Sequence, residues 1–339
     1  MKLLIVTQVI DTDHPILGFF HRWVTEFALH YEHVHVIALQ VGKHDLPANV
    51  TVHSLGKESG VNRLQYLIRF YQLIWQLRPQ YDHVFVHMNQ IYVILGAALW
   101  RATGKRIGLW YMHGTTSVSL RVAEKLTHRI FTGSPESCCI KSSKIVVTGH
   151  GIDTTHFAPD RTVEKKYDLV SIGRITHSKN LIELVNLFAQ IREQADVSLT
   201  IVGAPVTVAE QAYEQKLRQH IADLELADHV NLPGRVSQAD LPQFLNRSKI
   251  FVTVAQNGSL DKAILEAMAV GLPVVSMAPG TASLELGPQQ VTQPDDFASQ
   301  VQALLQQPSF FSPKNVKCIQ STHSIDSLVQ EKILKSLYA

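Results

Sequence analysis

The stretch GSLDKAILEAMAVGLPVV, residues 258–275, decides the fold class because it joins an apolar helix to a buried strand. Aliphatic side chains dominate the predicted helix, and one carboxylate, Glu266, lies in its middle. Gly271 and Pro273 then end the helix, and a short aliphatic run follows. Burying an unpaired carboxylate is costly. We therefore expect a partner or a ligand to face Glu266.

Strand-like and helical patterns alternate in this way along most of the chain. Short aliphatic runs lie at residues 3–9, 34–39, 83–88, 106–112, 129–134, 144–149, 167–173, 197–203, 229–234, 249–255 and 272–277. Continuous apolar strands are typical of parallel sheets that helices cover on both faces. The pattern predicts an α/β fold with two Rossmann-like, doubly wound domains that face each other across a cleft.

A turn-rich segment, residues 149–166, separates the two series of strands. A chain of 339 residues is long for a single core. We predict an N-terminal domain over residues 1–150 and a C-terminal domain over residues 151–320. A C-terminal helix over residues 321–339 is expected to pack back towards the N-terminal domain.

Composition limits the class of protein and its compartment. The net charge of +2 gives no indication of a nucleic-acid partner. Cys138, Cys139 and Cys318 form neither a disulfide framework nor a set of metal ligands. The apolar run at the N-terminus is too short for a signal peptide, and the longest apolar run, residues 91–100, is about half a membrane span. We expect a cytoplasmic protein, with peripheral association at the inner face of a membrane left open.

Two cations lie on the predicted strand-to-helix turn SIGRITHSKN, residues 171–180. Such a turn supplies free backbone N–H groups, and Arg174 and Lys179, five residues apart, can hold a diphosphate from two sides. An ordinary solvated loop is the alternative. The glycine spacing of a Walker motif is missing.

The opening stretch provides a second helix N-terminus. Gly258 and Ser259 are predicted to cap it, so that the amides of residues 259–262, helped by Lys262, could hold phosphate oxygens. Glu266 lies roughly 7 Å beyond Asp261 along a helix, at a distance that suits the hydroxyls of a nucleotide's ribose. The alternative is a simple surface ion pair between Lys262 and Glu266.

Four motifs together resemble one known family. SIGRITHSK, IVG, VNLPGRV and AILEAMAVGLPVV are similar, in order and spacing, to the nucleotide-sugar domain of glycosyltransferase family 4, whose retaining enzymes have the two-domain GT-B fold. GHGIDTTHFAPD resembles the segment between the two domains of that family. The resemblance covers about residues 144–276.

The resemblance implies roles for individual residues of the second domain. Arg174 and Lys179 would bind the donor diphosphate and stabilise it as it leaves, and Glu266 would bind the ribose. The remaining residues implied in the donor site are Gly173, Gly203, Arg235, Val236, Ser259, Asp261 and Lys262. The sequence departs from the family where Gly258 replaces the first of two glutamates, and Ser259 or Asp261 is predicted to supply the missing hydroxyl contacts.

The first domain has its own candidates at predicted strand ends. His113 in LWYMHGTTS, residues 109–117, resembles the family's histidine beside the donor sugar or the acceptor. His87 ends the preceding strand and could line the same cleft. The resemblance places an acceptor or phosphate loop around Gly18, and Asp13 is predicted to contact an acceptor rather than a metal ion.

These observations predict a retaining, metal-independent glycosyltransferase without a cofactor. It would move a sugar, a hexose or a related unit, from a nucleoside-diphosphate sugar to a hydroxyl of a glycan or lipid-linked glycan. A nucleotide-sugar epimerase and a non-catalytic nucleotide-sugar-binding subunit are the alternatives. The segment RLQYLIRFYQLIWQLRPQ, residues 63–80, fits either a helix on lipid headgroups or a core helix with a basic edge.

Overall fold

The computed structural model describes residues 1–14, 16–113, 115–256, 258, 260–284 and 286–338. The chain divides into two compact units. Unit 1 comprises Met1–Gly151 together with the segment from Thr322 onward, and unit 2 comprises Ile152–Ser321.

Unit 1 is built on a seven-stranded sheet in which all paired strands are parallel. The strands are β1 (Lys2–Ile10), β2 (His33–Val41), β3 (Val50–Ser54), β4 (His83–His87), β5 (Arg106–Trp110), β6 (Arg129–Thr132) and β7 (Ile145–Val147). Their order is β3-β2-β1-β4-β5-β6-β7. The order reverses between β1 and β4, so the loops after these strands diverge there and leave a crevice of the kind where ligands of such sheets bind.

Four helices cross between the strands of unit 1: α1 (Phe20–His30), α2 (Arg63–Gln76), α3 (Gln90–Ala102) and α4 (Val118–Leu126). Alternate strand residues point to opposite faces of the sheet. Leu3 and Ile5 pack with Phe20 of α1, whereas Leu4 and Val6 belong to the core under α2, α3 and α4. One face of the sheet is therefore covered by α1 and the other by α2–α4.

Unit 2 has a five-stranded parallel sheet in the order β10-β9-β8-β11-β12. The strands are β8 (Tyr167–Ile172), β9 (Leu199–Val202), β10 (Val230–Gly234), β11 (Ser248–Thr253) and β12 (Val274–Ser276). The helices are α5 (Leu181–Arg192), α6 (Val208–Asp223), α7 (Leu241–Asn246), α8 (Lys262–Ala269), α9 (Pro294–Leu305) and α10 (Pro313–Cys318). The order reverses between β8 and β11, and the loops after these two strands form the crevice of this unit.

The last segment of the chain returns to unit 1. Two π-helical turns, Ile319–His323 and Ser327–Leu334, lead to α11 (Lys335–Tyr338). Leu328 and Ile333 are fully buried in the same cluster as Phe20 and Trp23 of α1. The C-terminal segment thus helps α1 to cover its face of the sheet.

The predicted fold class is confirmed, and every predicted strand is present. The predictions missed β3, a polar and only partly buried strand that pairs with β2 alone. An edge strand needs no continuous apolar run, which explains the omission. None of the helices in the described ranges is long and apolar enough to cross a membrane.

Candidate functional site

Two glycines shape the crevice of unit 2. Gly173 follows β8 with φ +153°, and Gly203 follows β9 with φ +154°. A Cβ atom on Gly203 would lie 1.8 Å from the carbonyl oxygen of Gly173, and one on Gly173 would lie 2.7 Å from Cε of Lys179. Only glycine tolerates both the backbone conformation and this close approach. The two strand ends therefore leave room for the Lys179 side chain to lie against them.

Lys179 is the best-enclosed of the predicted cations in this crevice. It ends a short 3₁₀ turn, His177–Lys179, after which Asn180 adopts a left-handed conformation and starts α5. Its Nζ lies against Oδ2 of Asp261, and 16% of its side chain is exposed. Burial, together with the positive charge of Arg174, lowers the pKa of Lys179 to about 8. The Lys179 side chain therefore loses its proton at a pH only slightly above neutral.

Asp261 is the N-cap of α8, which corrects the predicted start of this helix. The carboxylate accepts a hydrogen bond from the amide of Ala263 (3.3 Å), and α8 begins at Lys262. Gly258 is not part of the cap, and the predicted donor contact Ser259 lies outside the described residues. An aspartate is as good an N-cap as serine, and this one also neutralises Lys179.

Glu266 lies one turn further along α8 and is 4% exposed. Its Oε1 accepts hydrogen bonds from Nζ of Lys262 (2.6 Å) and from Nε2 of Gln238 (3.0 Å). The pair with Lys262 that the spacing allowed is therefore present, although the carboxylate is buried rather than on the surface. Two donors from different segments compensate the buried charge, as a buried carboxylate requires.

Gln238 is a residue of the site that the sequence did not predict. It is exposed and lies in the loop after β10, which also carries the predicted base-reading residues Arg235 and Val236. Arg235 is exposed, and Val236 packs against the core around α8. The resemblance indicates this loop as part of the donor site. The contact between Gln238 and Glu266 could not be predicted, because it joins residues 28 positions apart.

Arg174 is more loosely held than Lys179. Its Nη1 lies 3.5 Å from Oε1 of Glu210, and 54% of its side chain is exposed. Glu210 also caps α6 together with Thr207. Five residues beside the point where the strand order reverses are here called the switch-point cluster: Arg174, Lys179, Asp261, Lys262 and Glu266. Each of its three cations faces a carboxylate, which for Arg174 is Glu210 outside the cluster.

The histidines predicted in unit 1 lie in contrasting surroundings. His113 is exposed, follows β5, and its ring lies edge-on to Tyr111 at 5.4 Å between centroids. His87 is fully buried at the end of β4, with its ring stacked on Phe20 at 3.7 Å. Its Nδ1 shares a hydrogen bond with the hydroxyl of Thr7 (3.1 Å), and burial lowers the pKa of His87 to about 3.

This placement corrects the prediction for His87. A neutral, fully buried imidazole cannot contact an acceptor, so His87 is a core residue in this structure. This burial could not be predicted, because a histidine at a strand end is equally compatible with a site and with a core.

Gly18 and Asp13 lie in the loop after β1. A Cβ on Gly18 would come within 2.7 Å of the carbonyl oxygen of Thr12, so the glycine lets this loop close tightly. Asp13 is mostly exposed, and its Oδ2 lies 3.9 Å from Nζ of Lys43. Within the described part of the chain, no three His, Cys, Asp or Glu residues are grouped in a way that could hold a metal ion.

Comparison with known proteins gives the family. Residues 153–323, half of the chain, match the family described as glycosyl transferases group 1. The protein belongs to this family. The match covers unit 2 and with it the whole switch-point cluster.

Two curated relatives are named as glycosyltransferases. The putative colanic acid biosynthesis glycosyltransferase WcaL of Escherichia coli K12 is 29% identical over 142 residues, which are 39% of this chain and 34% of the relative. The GDP-mannose:cellobiosyl-diphosphopolyprenol alpha-mannosyltransferase of Xanthomonas oryzae pv. oryzae is 27% identical over 203 residues, 58% of this chain and 52% of the relative. The chain thus spans between a third and about half of the length of these relatives.

Solved structures match the whole chain. Anabaena Alr3699/HepE in complex with UDP has a TM-score of 0.79 at 19% identity, with 100% of both chains covered. Sucrose-phosphate synthase from Thermosynechococcus elongatus has a TM-score of 0.74 at 14% identity, covering 100% of this chain and 98% of the other. At these identities the likeness establishes the two-domain GT-B fold.

Proposed function

We propose that this protein is a retaining glycosyltransferase that uses a nucleoside-diphosphate sugar as donor and needs no metal ion. The observation that carries the proposal is that the largely buried Lys179 lies against Asp261, the N-cap of α8, and that a buried glutamate, Glu266, follows about one turn further along the same helix. A diphosphate is anionic and a ribose presents two hydroxyls. A cation at the start of α8 and a carboxylate about one turn further along this helix match that ligand.

The donor diphosphate is proposed to replace Asp261 as the partner of Lys179. Lys179 is already positioned and desolvated, so a phosphate oxygen that displaces the Asp261 carboxylate gains a charge-assisted hydrogen bond at little cost in ordering. Arg174, more exposed, would swing from Glu210 to the other side of the diphosphate. Asp261, once released, could accept a hydrogen bond from a hydroxyl of the sugar.

The ribose is proposed to bind beside Glu266. A carboxylate accepts hydrogen bonds from both ribose hydroxyls, and Lys262 and Gln238 would keep its charge compensated while it does so. Residues Gly234–Val236 would then contact the base. The relative named for GDP-mannose and the fold neighbour crystallised with UDP support a nucleotide donor. They also make guanosine and uridine the first bases to test.

The chemistry follows from charge placed before the reaction begins. As the bond between the sugar C1 and the diphosphate oxygen breaks, negative charge grows on the diphosphate, where Lys179 and Arg174 stabilise it. The acceptor oxygen bonds to C1 on the face that the leaving group departs from, and its proton passes to the departing phosphate oxygen. The configuration at C1 is thereby retained without a nucleophilic side chain.

The acceptor is proposed to be a hydroxyl of a glycan or lipid-linked glycan bound by unit 1. Two curated relatives carry names from colanic acid biosynthesis and from a diphosphopolyprenol acceptor, which supports this class. His113, exposed after β5, is the residue of unit 1 that we propose to contact the acceptor or the transferred sugar. A cytoplasmic location would give access to nucleotide sugars.

The test begins with a thermal-shift screen of uridine, guanosine and adenosine diphosphate sugars. A donor at 100 times its dissociation constant should stabilise the protein by about 2.7 kcal/mol. The best donor is then incubated with polyprenyl-diphosphate oligosaccharides, and NMR of the product reads the configuration at C1. A product with the donor's configuration supports the proposal, and an inverted product contradicts it.

Two other outcomes would point to the alternatives. Conversion of the donor sugar to its epimer, with no glycoside formed, would identify an epimerase. Donor binding without hydrolysis, transfer or epimerisation, under conditions where purified lipid-linked acceptors are supplied, would identify a non-catalytic binding subunit. Gly258 stands where the family usually has a glutamate, and this difference is the reason to test for a non-catalytic binding subunit.

A further inference from the structure

The outer surface of helices α2, α3 and α4 has an unusual pattern of exposed side chains. On α2, Leu64, Ile68, Tyr71 and Trp75 are all exposed, with 65% of Leu64 and 56% of Trp75 accessible. Spacings of four, three and four residues place them on one side of the helix. Phe70 and Ile74, on another side, are buried in the core. Helix α2 therefore has two apolar sides, and the protein covers only one of them.

Helices α3 and α4, which lie in the same layer, also expose apolar side chains. Ile91 of α3 and Val118 and Val122 of α4 are exposed, Val118 to 79%. The three helices form one layer, because rings of α2 and α3 are in contact and Gln90 of α3 hydrogen-bonds Ser119 of α4 (2.9 Å). The exposed residues Leu64, Ile68, Tyr71, Trp75, Ile91, Val118 and Val122 are here called the α2–α4 face.

The same three helices are strongly biased towards positive charge. They contain five basic residues and one acidic residue, Glu124; the basic residues are Arg63, Arg69, Arg101, Arg121 and Lys125. Glu124 already accepts a hydrogen bond from Ser142 and lies 3.9 Å from Lys144. Arg63, Arg121 and Lys125 make no ion pair within the described residues. We include the cations Arg63, Arg121 and Lys125 in the α2–α4 face, which is thus apolar and cationic at once.

A cavity at the edge of this face adds a place for an anionic group. It has a volume of about 560 Å³ and lies between α4 and residues 139–141. Arg121, Lys125 and Lys141 line it together with Thr116, Glu124, Cys139 and Ile140. Since Glu124 is compensated by Lys144, the three cations leave the cavity with a positive charge suited to a phosphate headgroup.

We propose that the α2–α4 face docks on the surface of an anionic lipid bilayer. Exposed aliphatic residues and Trp75 would enter the boundary between headgroups and acyl chains, and the cations of α2 and α4 would bind lipid phosphates. Arg78 lies over the Trp75 ring at 4.0 Å, so this aromatic residue carries a cation at its polar side. The proposal rests on the proposed function for its purpose, access to a lipid-linked acceptor, but not for the binding itself.

Charge selects a lipid surface over a second copy of the chain. A symmetric dimer through this face would bring the net positive charge of one copy against the same net positive charge of the other. A bilayer that contains phosphatidylglycerol offers apolar volume and negative charge together.

The test measures flotation of the full chain with vesicles, in the absence of nucleotide. Vesicles of phosphatidylcholine with about one third phosphatidylglycerol should carry the protein, and pure phosphatidylcholine vesicles should carry far less. Binding should weaken as salt rises, because the Debye length shortens. The double variant Ile68→Gln/Trp75→Gln and the double variant Arg121→Glu/Lys125→Glu should each lower vesicle affinity by about tenfold or more.

Matched controls place the same apolar-to-polar change elsewhere. Leu29→Gln on α1 and Val208→Gln on α6 also alter exposed aliphatic residues, and they should leave vesicle affinity unchanged. Circular dichroism and melting curves check that every variant is folded.

Three results would overturn the docking proposal. The first is no flotation with anionic vesicles, and the second is equal flotation of wild type and the two double variants. The third is a wild-type dimer in light scattering that Ile68→Gln/Trp75→Gln converts to a monomer, which would assign the face to a second copy. Donor titrations on the same samples separate the two proposals, because a wild-type protein that turns over its donor but does not float with anionic vesicles contradicts docking alone.

Discussion

In unit 2, Lys179 and Lys262 each lie against a carboxylate, with 16% and 24% of their side chains exposed. On the α2–α4 face of unit 1, Arg121 and Lys125 are exposed and make no ion pair within the described residues. The difference follows from solvation. Water alone stabilises an exposed cation. A cation withdrawn from water needs a counter-ion until an anionic ligand replaces that counter-ion.

This contrast indicates two modes of recognition. The paired, enclosed charges of the switch-point cluster suit a small ligand, whose own charged groups can replace the carboxylates that pair with the cations. The unpaired cations and exposed aliphatic residues of the α2–α4 face suit an extended, fluid surface such as a lipid bilayer, which does not require exact contact geometry. Mutations should therefore separate donor chemistry from surface binding.

The largest effect is expected for Lys179→Ala. Loss of a preorganised positive group should lower the rate of sugar transfer by roughly 10²–10³-fold, while flotation with anionic vesicles stays unchanged. Lys249→Ala is the matched control, since Lys249 pairs with Asp168 (2.6 Å) at the opposite ends of the same strands. Steady-state rates for both variants decide the point. Equal rates for wild type and Lys179→Ala would remove Lys179 from the donor site.

Glu266→Gln should have the next largest effect, on donor affinity. A charge-assisted hydrogen bond contributes about 1.5–3 kcal/mol, so the affinity for every donor with the same ribose should fall by roughly 10–100-fold. The amide can still accept from Lys262, and the melting temperature should change little. Calorimetric titration of the free nucleoside diphosphate makes the measurement. Unchanged affinity would mean that Glu266 serves only as the partner of Lys262 and Gln238.

Activity should also depend on pH through Lys179. Its lowered pKa, about 8, means that the ammonium is charged below pH 8 and becomes neutral above it. The value of kcat/KM should therefore fall as pH rises through about 8, approaching tenfold per pH unit. In Lys179→Arg the guanidinium stays charged, so whatever activity remains should lack this alkaline decline. A decline shared by both proteins would exclude Lys179 as its origin.

Gln238→Leu should have a smaller effect than Glu266→Gln. It removes one neutral donor from a carboxylate that keeps Lys262, and a net hydrogen bond is worth about 0.5–1.5 kcal/mol. Nucleotide affinity should fall by roughly two- to tenfold, with vesicle binding unaffected. Gln219→Leu on α6, which loses a hydrogen bond to Asp223, is a suitable control in the same titration. A loss as large as that of Glu266→Gln would show that Gln238 contacts the nucleotide itself.

The smallest effect is expected from EDTA, which should leave the rate of transfer unchanged. The proposed diphosphate partners are cations, and the exposed Asp13 carboxylate lies near Lys43. Incubation with EDTA, followed by addition of Mn²⁺ or Mg²⁺, tests this directly. If EDTA abolishes activity and either ion restores it, transfer depends on a bound metal ion.

The sequence predicted the parts of the fold that depend on continuous apolar runs. The strands of both sheets were recognisable because strands covered on two faces are aliphatic throughout. Strand β3 was missed because it pairs on one side only and is partly exposed. The positions of Arg174 and Lys179 just after β8 could be predicted, since the loop after a strand in such a sheet lies at the edge where ligands bind.

Contacts between distant segments could not be predicted. The cap of α8 was assigned to Gly258 and Ser259, because local chemistry ranks serine and aspartate alike. Asp261 takes this role while it meets Lys179, a residue 82 positions away. His87 was expected to face an acceptor, yet Phe20 and Thr7 enclose it, and both belong to earlier elements of the chain.

The sequence by itself determined the two series of strands, the apolar α8 with its single internal carboxylate, and the cations after β8, because each depends on residues close together in the chain. Only the tertiary structure decided what faces each charge. It brought Asp261 to Lys179 and Gln238 to Glu266, and it left one side of α2 uncovered. Burial and pairing depend on which segments meet in space, and that is a property of the packed chain rather than of any local pattern.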